Sequence, residues 1–257
     1  MLIKRNEGKN VFHAILLVSV LFWVLCSINA FADTIIDNGD PETSFTGSWG
    51  VSGGSDPWDP ADPSATSLWS RDGDIYTWTF TPTDSGYHDF SMWWTEWPSR
   101  SDSIPVRINY WKGTDTLNIN QQLYGGQWNL LDTYPFEAGV SYDITITSVP
   151  GGTHNYSTCA DAVQFNYQPG LNVLPIATIY SISPNPALTD NLITFTGYGD
   201  DIDGEIIGWN WESGIDGHLG DSATFTTLGP LSPGTHTITF KCFLWPKKTS
   251  DLVTQTL

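Results

Sequence analysis

The sequence predicts an all-β protein made of antiparallel β-sandwiches. Short segments of alternating polar and apolar residues, rich in Thr, Tyr, Trp, Val and Ile, recur along the chain. Gly, Pro, Asn and Asp separate these segments, as expected for turns between strands. The spacing typical of amphipathic helices is nearly absent. These three observations favour strands throughout.

The predicted strands fall into two sets with a linker between them. The first set is 45–51, 75–81, 87–94, 104–111, 116–120, 128–136, 142–149 and 159–167. The second set is 176–182, 192–197, 206–212, 222–227 and 235–242. Because Pro and Gly separate the sets, we expect a larger domain at 33–168, a linker at 169–175 and a smaller domain at 176–257.

Residues 1–32 have the pattern of a secretory signal peptide. Lys4 and Arg5 precede an apolar stretch at 11–28, and Ala30-Phe31-Ala32 then supplies small residues around a cleavage site. The alternative is an uncleaved membrane anchor, since the stretch is about long enough to span a bilayer. The strand-like sequence directly after the site favours cleavage. We therefore expect a secreted protein, extracellular or at the cell surface, without membrane contact after cleavage.

The chain is strongly acidic, with a net charge of −18 at pH 7. Such a surface repels nucleic acid and anionic membranes, so neither is an expected partner. It also disfavours polyanionic glycans unless Arg71, Arg100 and Arg107 converge locally. Beyond the signal peptide only Cys159 and Cys242 remain, and we expect no disulfide because they fall in different predicted domains. The oligomeric state is left open.

Three indoles lie within the segment 93–100 (WWTEWPSR), at the end of a predicted strand. They cannot all point into a core. Alternation along 87–94 places Phe90, Met92 and Trp94 inside and Trp93 outside. An exposed indole is a flat apolar plate with one N–H donor, which suits the apolar face of a sugar ring. The segment therefore points to glycan recognition.

Neighbouring predicted strands place further polar and aromatic residues outward. If these strands are adjacent, planar amides and guanidinium groups lie beside indoles on one sheet face and can bind sugar hydroxyls. The candidate glycan-binding residues are Trp93, Trp97, Arg100, Arg107, Asn109, Trp111, Asn118 and Asn120. The alternative is that a loop such as 53–63 covers some of these tryptophans.

Asp161 has the opposite expected orientation. It shares a strand face with Val163, Phe165 and Tyr167, so we expect a buried carboxylate. An unpaired buried charge costs several kcal/mol, so this group needs donors or a cation. Arg100, a structural metal ion and backbone N–H groups are the alternatives left open.

Asp200, Asp201 and Asp203 form the densest carboxylate cluster, beside Gly204. Alternate carboxylates in a glycine-containing loop resemble the start of a calcium loop. The same pattern also forms a turn in which carboxylates accept from local N–H groups. The turn is the favoured interpretation and a calcium ion is the alternative; no other cofactor is expected. Residues 37–40 (DNGD) form a similar, weaker group.

Catalytic motifs find little support. The sequence contains no His-Glu-x-x-His motif and no glycine-rich phosphate loop. A carboxylate pair for glycoside hydrolysis could arise in space, and Glu96, between indoles, is the nearest candidate. We therefore expect a protein that is not an enzyme.

Seven short motifs follow one another between residues 36 and 167. They are 37–39 (DNG), 45–49 (FTGSW), 76–80 (YTWTF), 94–100 (WTEWPSR), 120–122 (NQQ), 125–128 (GGQW) and 160–163 (ADAV). In this order they resemble the carbohydrate-binding-like domain shared by golvesin and xanthan lyase. The resemblance implies a jelly-roll-like β-sandwich, attached to secreted enzymes and surface proteins, that binds or attaches to glycans. It assigns no ligand residues.

The second predicted domain has motifs of its own. They are 193–197 (ITFTG), 201–206 (DIDGEI), 209–211 (WNW) and 233–240 (PGTHTITF). They resemble a PKD domain, a small immunoglobulin-like sandwich, which implies a spacer or a contact module. After Phe240 the Val-x-Asp-x-x-Gly hairpin of that domain is replaced by 242–248 (CFLWPKK). We therefore expect a truncated or atypical domain without its last edge strand.

The predicted function is that of a secreted, non-catalytic module that binds a polysaccharide or cell-surface glycan, neutral or weakly charged. Aromatic stacking and hydrogen bonds to hydroxyls supply the affinity, and the PKD-like domain acts as a spacer. The chief alternative is a protein-interaction or surface-assembly module in which the tryptophans form an interface hot spot. A third is a weak glycan hydrolase or an accessory to one.

Overall fold

The structure is a computed structural model that describes residues 33–59, 61–62, 64–150 and 155–244, together with the backbone of 248–249 and 253–256. All secondary-structure elements in these residues are β-strands, which confirms the predicted all-β fold class. The predicted signal peptide, parts of the loop 53–63 and parts of the C-terminal segment lie outside the described residues. In the described part of the chain, no helix has the length and apolar character needed to cross a membrane.

The strands are short and follow one another closely. The first twelve are β1 (Thr34–Ile36), β2 (Thr43–Phe45), β3 (Gly50–Val51), β4 (Leu68–Ser70), β5 (Ile75–Phe80), β6 (Gly86–Met92), β7 (Ile104–Tyr110), β8 (Gly113–Ile119), β9 (Asn129–Phe136), β10 (Tyr142–Thr147), β11 (Thr158–Ala160) and β12 (Val163–Tyr167). The others are β13 (Ile176–Ser183), β14 (Thr194–Asp200), β15 (Ile206–Ser213), β16 (Gly217–Gly220), β17 (Thr224–Thr226), β18 (Thr237–Leu244), β19 (Lys248–Thr249) and β20 (Val253–Thr256).

Residues 34–167 form a sandwich of two antiparallel sheets. One sheet has the strand order β1-β12-β6-β9 and the other has the order β2-β5-β10-β7-β8. In β5, Tyr76, Trp78 and Phe80 alternate inward and are buried, as their spacing predicts. Phe80 stacks on Phe165 of the opposite sheet, with 3.8 Å between the ring centroids. Such contacts across the layers join the two sheets into one core.

A third, three-stranded sheet with the order β11-β4-β3 belongs to the same part of the molecule. Every residue of β11 is buried. Ser157, just before β11, forms a parallel bridge with Arg100. This small sheet therefore connects the core to the segment 93–100.

Residues 176–256 form further sheets around a separate core. One has the order β13-β14-β17; the other has the order β16-β15-β18-β19, with β20 also paired to β18. The buried cluster contains Phe195, Trp211 and Phe240. The rings of Trp211 and Phe240 stack with 4.2 Å between centroids. The domain limits at 169–175 stay a prediction.

The expected absence of a last edge strand is wrong. β18 pairs with β15 on one edge, and it pairs with β19 and β20 on the other. The chain after Phe240 continues β18 as far as Leu244. Residues 241–244 therefore belong to a paired strand, even though the sequence here departs from the PKD pattern.

Most predicted strands agree with the structure, and the differences concern the shortest elements. The predicted strand 45–51 is two strands, β2 and β3, with Gly47 between them at a φ of 73°. β1 and β4 were missed because three residues are too few to display alternation. Cys159 and Cys242 are both buried.

Candidate functional site

The predicted glycan-binding face divides between the two sheets. β6, which leads into Trp93, lies in the four-stranded sheet, whereas β7 and β8 lie in the five-stranded sheet. β7 and β8 carry Arg107, Asn109 and Asn118. The outer faces of two packed sheets point in opposite directions. The prediction of one shared face is therefore wrong, because alternation along a strand does not reveal which strands are neighbours.

Trp111 is buried, which corrects a second prediction. β7 ends at Tyr110, and Trp111 begins the two-residue turn to β8. Trp111 N donates to Pro135 O at 2.9 Å, so the chain has turned before alternation reaches this residue. Only 7% of Trp111 is exposed. It also lies at the opposite end of β7 from the segment 93–100, about 20 Å away at ~3.4 Å per residue.

Arg100 is also buried, with 2% of its surface exposed. Nη2 donates to Ser52 Oγ at 2.7 Å and to Thr95 Oγ1 at 3.0 Å. Nε donates to Thr95 O, and Nη1 donates to Ser157 Oγ at 3.0 Å. These acceptors come from three separate segments. Arg100 thus ties the segments together. It also lines a small cleft with Trp97, and its predicted contact with a sugar stays a prediction.

Trp93 lies beneath the loop 53–63, as the alternative interpretation expected. The rings of Trp93, Trp58 and Trp128 contact one another, with centroid distances of 4.7 to 5.5 Å. Trp93 Nε1 donates to Asp56 O at 2.9 Å. The indole of Trp93 is therefore packed against other indoles. It is half-buried and lines a cleft of about 500 Å³ with Asp56 and Gly126, so its role in glycan contact stays a prediction.

Trp97 is the most exposed tryptophan of the segment 93–100. It is 48% exposed, whereas Trp94 points inward as predicted and is 3% exposed. The residues lining a cleft of about 550 Å³ with Trp97 are Ser55, Asp56, Glu96, Pro98, Gln122 and Gly125. Carboxylate and amide groups beside an accessible indole can bind sugar hydroxyls while the ring stacks on the sugar.

Trp97 also lines a smaller cleft of about 220 Å³ with Trp69 and Arg71. The guanidinium carbon of Arg71 lies 4.5 Å from the centroid of the Trp69 ring, within cation–π range. Arg71 Nε donates to Asn155 O at 2.9 Å. Among the described residues, no carboxylate lies within ion-pair distance of Arg71. The cleft therefore keeps a positive charge in an acidic protein.

Buried hydrogen bonds and a close glycine contact hold the loops around these clefts. Gln121 Nε2 donates to Cys159 O at 2.9 Å, and Gln121 Oε1 accepts from Cys159 N at 2.7 Å. This pair of bonds joins the loop 120–128 to β11 as a strand partner would. Gly125 N donates to Glu96 Oε1 at 2.9 Å. A Cβ on Gly125 would lie only 2.5 Å from Glu96 N, so the approach requires glycine.

Asp161 is buried, as predicted, with 1% of its surface exposed. Oδ1 accepts from Trp58 N at 3.2 Å, and Oδ2 has no hydrogen-bond partner. Burial raises the pKa of Asp161 to about 8, and the nearby Arg100 only partly opposes this rise. No ion pair between Asp161 and Arg100 is present. Of the partners considered, a backbone N–H is observed and Arg100 acts from a distance.

The remaining predicted residues lie outside the two clefts. Arg107 and Asn118 are exposed on the five-stranded sheet, and Asn109 accepts a hydroxyl hydrogen bond within the β7–β8 hairpin. Asn120 Oδ1 accepts from Gln122 N at 2.9 Å. Asn120 therefore shapes the loop that carries Gln122 to the larger cleft.

The carboxylates at 200–203 are engaged in local contacts. Asp200 forms an ion pair with Lys112. Asp201 Oδ1 accepts from Asp203 N at 3.0 Å, and Asp203 Oδ2 accepts from Val173 N at 2.9 Å. Burial raises the pKa of Asp201 to about 6. No group of three or more His, Cys, Asp or Glu side chains in the described residues could hold a metal ion. The geometry is that of a turn.

Sequence reasoning missed Trp69, Asp56 and Gln122, and it treated Arg71 only as a charge. These residues are far apart in sequence, and the short β4 that carries Trp69 has no alternation to detect. The sequence did contain a signal that could have identified this region. Several of the seven motifs, including 94–100 and 120–122, meet around Arg100, where Gln122 Nε2 donates to Arg100 O at 2.8 Å.

Comparison with known protein families identifies a family that matches this chain. The Golvesin C-terminal domain matches residues 34–167, just over half of the chain. The chain belongs to this family. The resemblance drawn from the seven motifs is thereby confirmed.

A curated relative of this chain is "Xanthan lyase" from Bacillus sp. (strain GL1). It is 32% identical over 89 residues, which are 34% of this chain and 10% of the relative. The match therefore spans about a tenth of the relative's length.

Solved structures with similarity include xanthan lyase from Paenibacillus, at 31% identity and a TM-score of 0.46, covering 53% of this chain and 13% of that chain. Fibronectin(III)-like modules from Clostridium thermocellum are similar at 9% identity and a TM-score of 0.28, covering 70% of this chain and 92% of that chain.

Proposed function

We propose that residues 33–168 form a secreted, non-catalytic module that binds a polysaccharide or cell-surface glycan at Trp97. The observation that carries this proposal is the half-exposed indole of Trp97, which lines both clefts. The family assignment and the similarity to a xanthan lyase also associate the chain with carbohydrate. The signal-like residues 1–32 support export.

The chemistry of the clefts suits a sugar chain. The Trp97 ring stacks on an apolar sugar face, while Glu96, Asp56 and Gln122 bind hydroxyls in the larger cleft. One stacked ring contributes on the order of 1–3 kcal/mol, by analogy with aromatic stacking on nucleobases. The affinity is therefore expected to be in the micromolar to millimolar range, about 4–8 kcal/mol.

Rigid loops support a binding role. Arg100 and Gln121 fix three loop segments through buried hydrogen bonds before any ligand arrives. Binding then orders few side chains, and that lowers the entropy cost of association. A shallow site can therefore bind a sugar with modest contacts.

The surroundings of the Ser52 hydroxyl support binding rather than catalysis. Residues 50–54 (GVSGG) have the spacing of a nucleophile elbow. Ser52 Oγ accepts from Arg100 Nη2 and from Gly54 N, so donors surround it instead of the base that a nucleophile needs. Glu96 Oε1 is engaged by Gly125 N.

Residues 176–257 act as a PKD-like spacer in this proposal. Their separate core supports a unit that can carry the first sandwich without contributing to its clefts. The four motifs at 193–240 support the PKD-like assignment.

The test is polysaccharide binding by the folded chain and its variants. Affinity electrophoresis in gels containing soluble polysaccharides, the neutral hydroxyethylcellulose and arabinoxylan and the polyanionic xanthan and pectin, should show retardation in one or more of the neutral gels. Trp97→Ala should weaken binding at least tenfold, whereas Trp97→Phe should retain part of it. Asn118→Ala is the matched control and should bind as the wild type does. Undiminished binding by Trp97→Ala would remove the proposed site. Release of reducing ends would show catalysis instead.

A protein-contact role is the second candidate. It is favoured by large exposed side chains in the residues that follow the linker 169–175. Tyr180 is 76% exposed, Leu188 is 73% exposed and Tyr198 is 49% exposed. Tyrosine is common in binding hot spots. Capture of a partner protein that is lost in Tyr180→Ser, without any polysaccharide binding, would favour this role over the first.

A further inference from the structure

Two buried oxygen atoms beside β1 and β12 lack hydrogen-bond partners. One is Asp161 Oδ2, on a side chain that is 1% exposed, and the other is Asn38 Oδ1. Buried acceptors in folded proteins are almost always paired, so each of these requires an explanation. Both are oxygen acceptors, so a donor or a cation is the group that would satisfy them.

The register of the sheet brings these two residues together. β1 pairs antiparallel with β12, with Ile36 opposite Val163. Continuing this register by two residues places Asn38 opposite Asp161. Their side chains therefore leave neighbouring chain segments at the same point of the sheet edge.

A second carboxylate, that of Asp37, adjoins this site along the chain, and its Oδ1 accepts from Asn38 N at 2.8 Å. Asp37 directly precedes Asn38, and its negative charge acts on Asp161. Burial, together with the charges of Asp40 and Asp59, raises the pKa of Asp37 to about 6. Arg100 is the basic group whose charge acts on Asp161, and its donors bond to neutral acceptors. Burial therefore disfavours the charged form of Asp161, and no cationic side chain forms an ion pair with it among the described residues.

We infer that Asp37, Asn38 and Asp161 hold a divalent cation, of which Ca²⁺ is the best match. Two carboxylates and one amide oxygen are hard ligands of the type that Ca²⁺ prefers. Water completes the shell, which normally has six to eight oxygens for Ca²⁺. The site contains two carboxylates and one amide. It therefore differs from a group of three or more acidic, His or Cys side chains, of which the described residues contain none suited to a metal ion.

The inferred ion has a structural role rather than a part in sugar contact. Trp58 N already donates to Asp161 Oδ1, and Trp58 belongs to the cluster that covers Trp93. An ion at Asp161 would thus join the end of β1, the start of β12 and the loop 53–63.

Terbium luminescence tests this site, since several indoles lie close to it. We expect Tb³⁺ emission, excited through tryptophan, in the EDTA-treated full chain, and competition by excess Ca²⁺. Asp161→Asn and Asp37→Asn should each weaken Ca²⁺ binding at least tenfold. Asp37 is partly exposed, so its variant keeps the test valid should Asp161→Asn fold poorly; near-UV circular dichroism checks both folds.

Asp203→Asn is the matched control, because it removes one carboxylate from the other acidic segment. It should bind Tb³⁺ as the wild type does. Loss of emission in Asp203→Asn with retention in the other two variants would place the ion at 200–203 and overturn the inference. Absence of sensitised emission at millimolar Tb³⁺ without Ca²⁺ would overturn it as well, and an ordered water would then satisfy the two oxygens.

Discussion

The loop end of the first sandwich, formed by residues 52–59, 93–103 and 120–128, differs from the outer face of the five-stranded sheet in how its polar groups are used. At the loop end, Arg100 and Gln121 are buried and bond to several backbone segments. On the sheet face, Arg107 and Asn118 are exposed. The same residue types therefore serve structure in one region and solubility in the other. Which residues bind a ligand depends on neighbours that the strand pattern does not name.

The largest expected effect comes from removing the buried guanidinium. Arg100→Met should lower the free energy of unfolding by about 3–5 kcal/mol, because Ser52, Thr95 and Ser157 lose their common donor. Arg107→Met, on the sheet face, should change it by no more than ~0.5 kcal/mol. Urea denaturation measures both. Equal losses in the two variants would abolish the distinction between the regions.

The buried carboxylate of Asp161, which accepts from Trp58 N of the loop end, gives the protein a pH dependence. The folded protein keeps the Asp161 proton up to about pH 8, whereas the unfolded chain loses it near pH 4. In EDTA, this contribution to stability is fully present below about pH 4 and is lost as the pH rises to about 8. Asp161→Asn should therefore be more stable than the wild type at pH 8 by on the order of a few kcal/mol.

Thermal melting of both proteins at pH 5 and pH 8 checks this expectation. The exposed Asp143 on β10 supplies the control for the sheet face, since Asp143→Asn should keep the wild-type decline. A wild-type melting temperature that rises between these pH values in EDTA would contradict the stated cause.

A steric change at the loop end should have an intermediate effect. Gly125→Ala should cost about 1–3 kcal/mol, because its Cβ would lie 2.5 Å from the backbone nitrogen of Glu96. Gly53→Ala is a control in the neighbouring loop, because its Cβ would contact no atom within 4 Å. Chemical denaturation distinguishes them. Identical stabilities would show that the segment 93–100 moves freely to make room.

The smallest effect is expected on the sheet face. The double variant Arg107→Ala, Asn118→Ala should leave both stability and polysaccharide binding within about 0.5 kcal/mol of the wild type. Affinity electrophoresis and denaturation measure this. A clear loss of binding would return the glycan site to the sheet face and remove the case for the loop end.

The sequence predicted the strands and their inward residues well, because alternation is a local property. Trp78, Trp94 and Asp161 are buried as expected. The prediction of one shared binding face was wrong because sheet membership depends on pairing between distant segments. That pairing places β6 in one sheet and β7 and β8 in the other. Trp111 failed because a turn interrupts the alternation, and Trp69 was missed because its strand has three residues.

The contact between Trp58, Trp93 and Trp128 has an optical consequence. Three indoles within 4.7 to 5.5 Å of one another couple their electronic transitions, and the coupling depends on their mutual angles. Trp58 comes from the loop 53–63, whereas Trp93 and Trp128 flank β6 and β9. The exciton signal in circular dichroism therefore reports how that loop packs against Trp93 and Trp128 in solution, without an added dye.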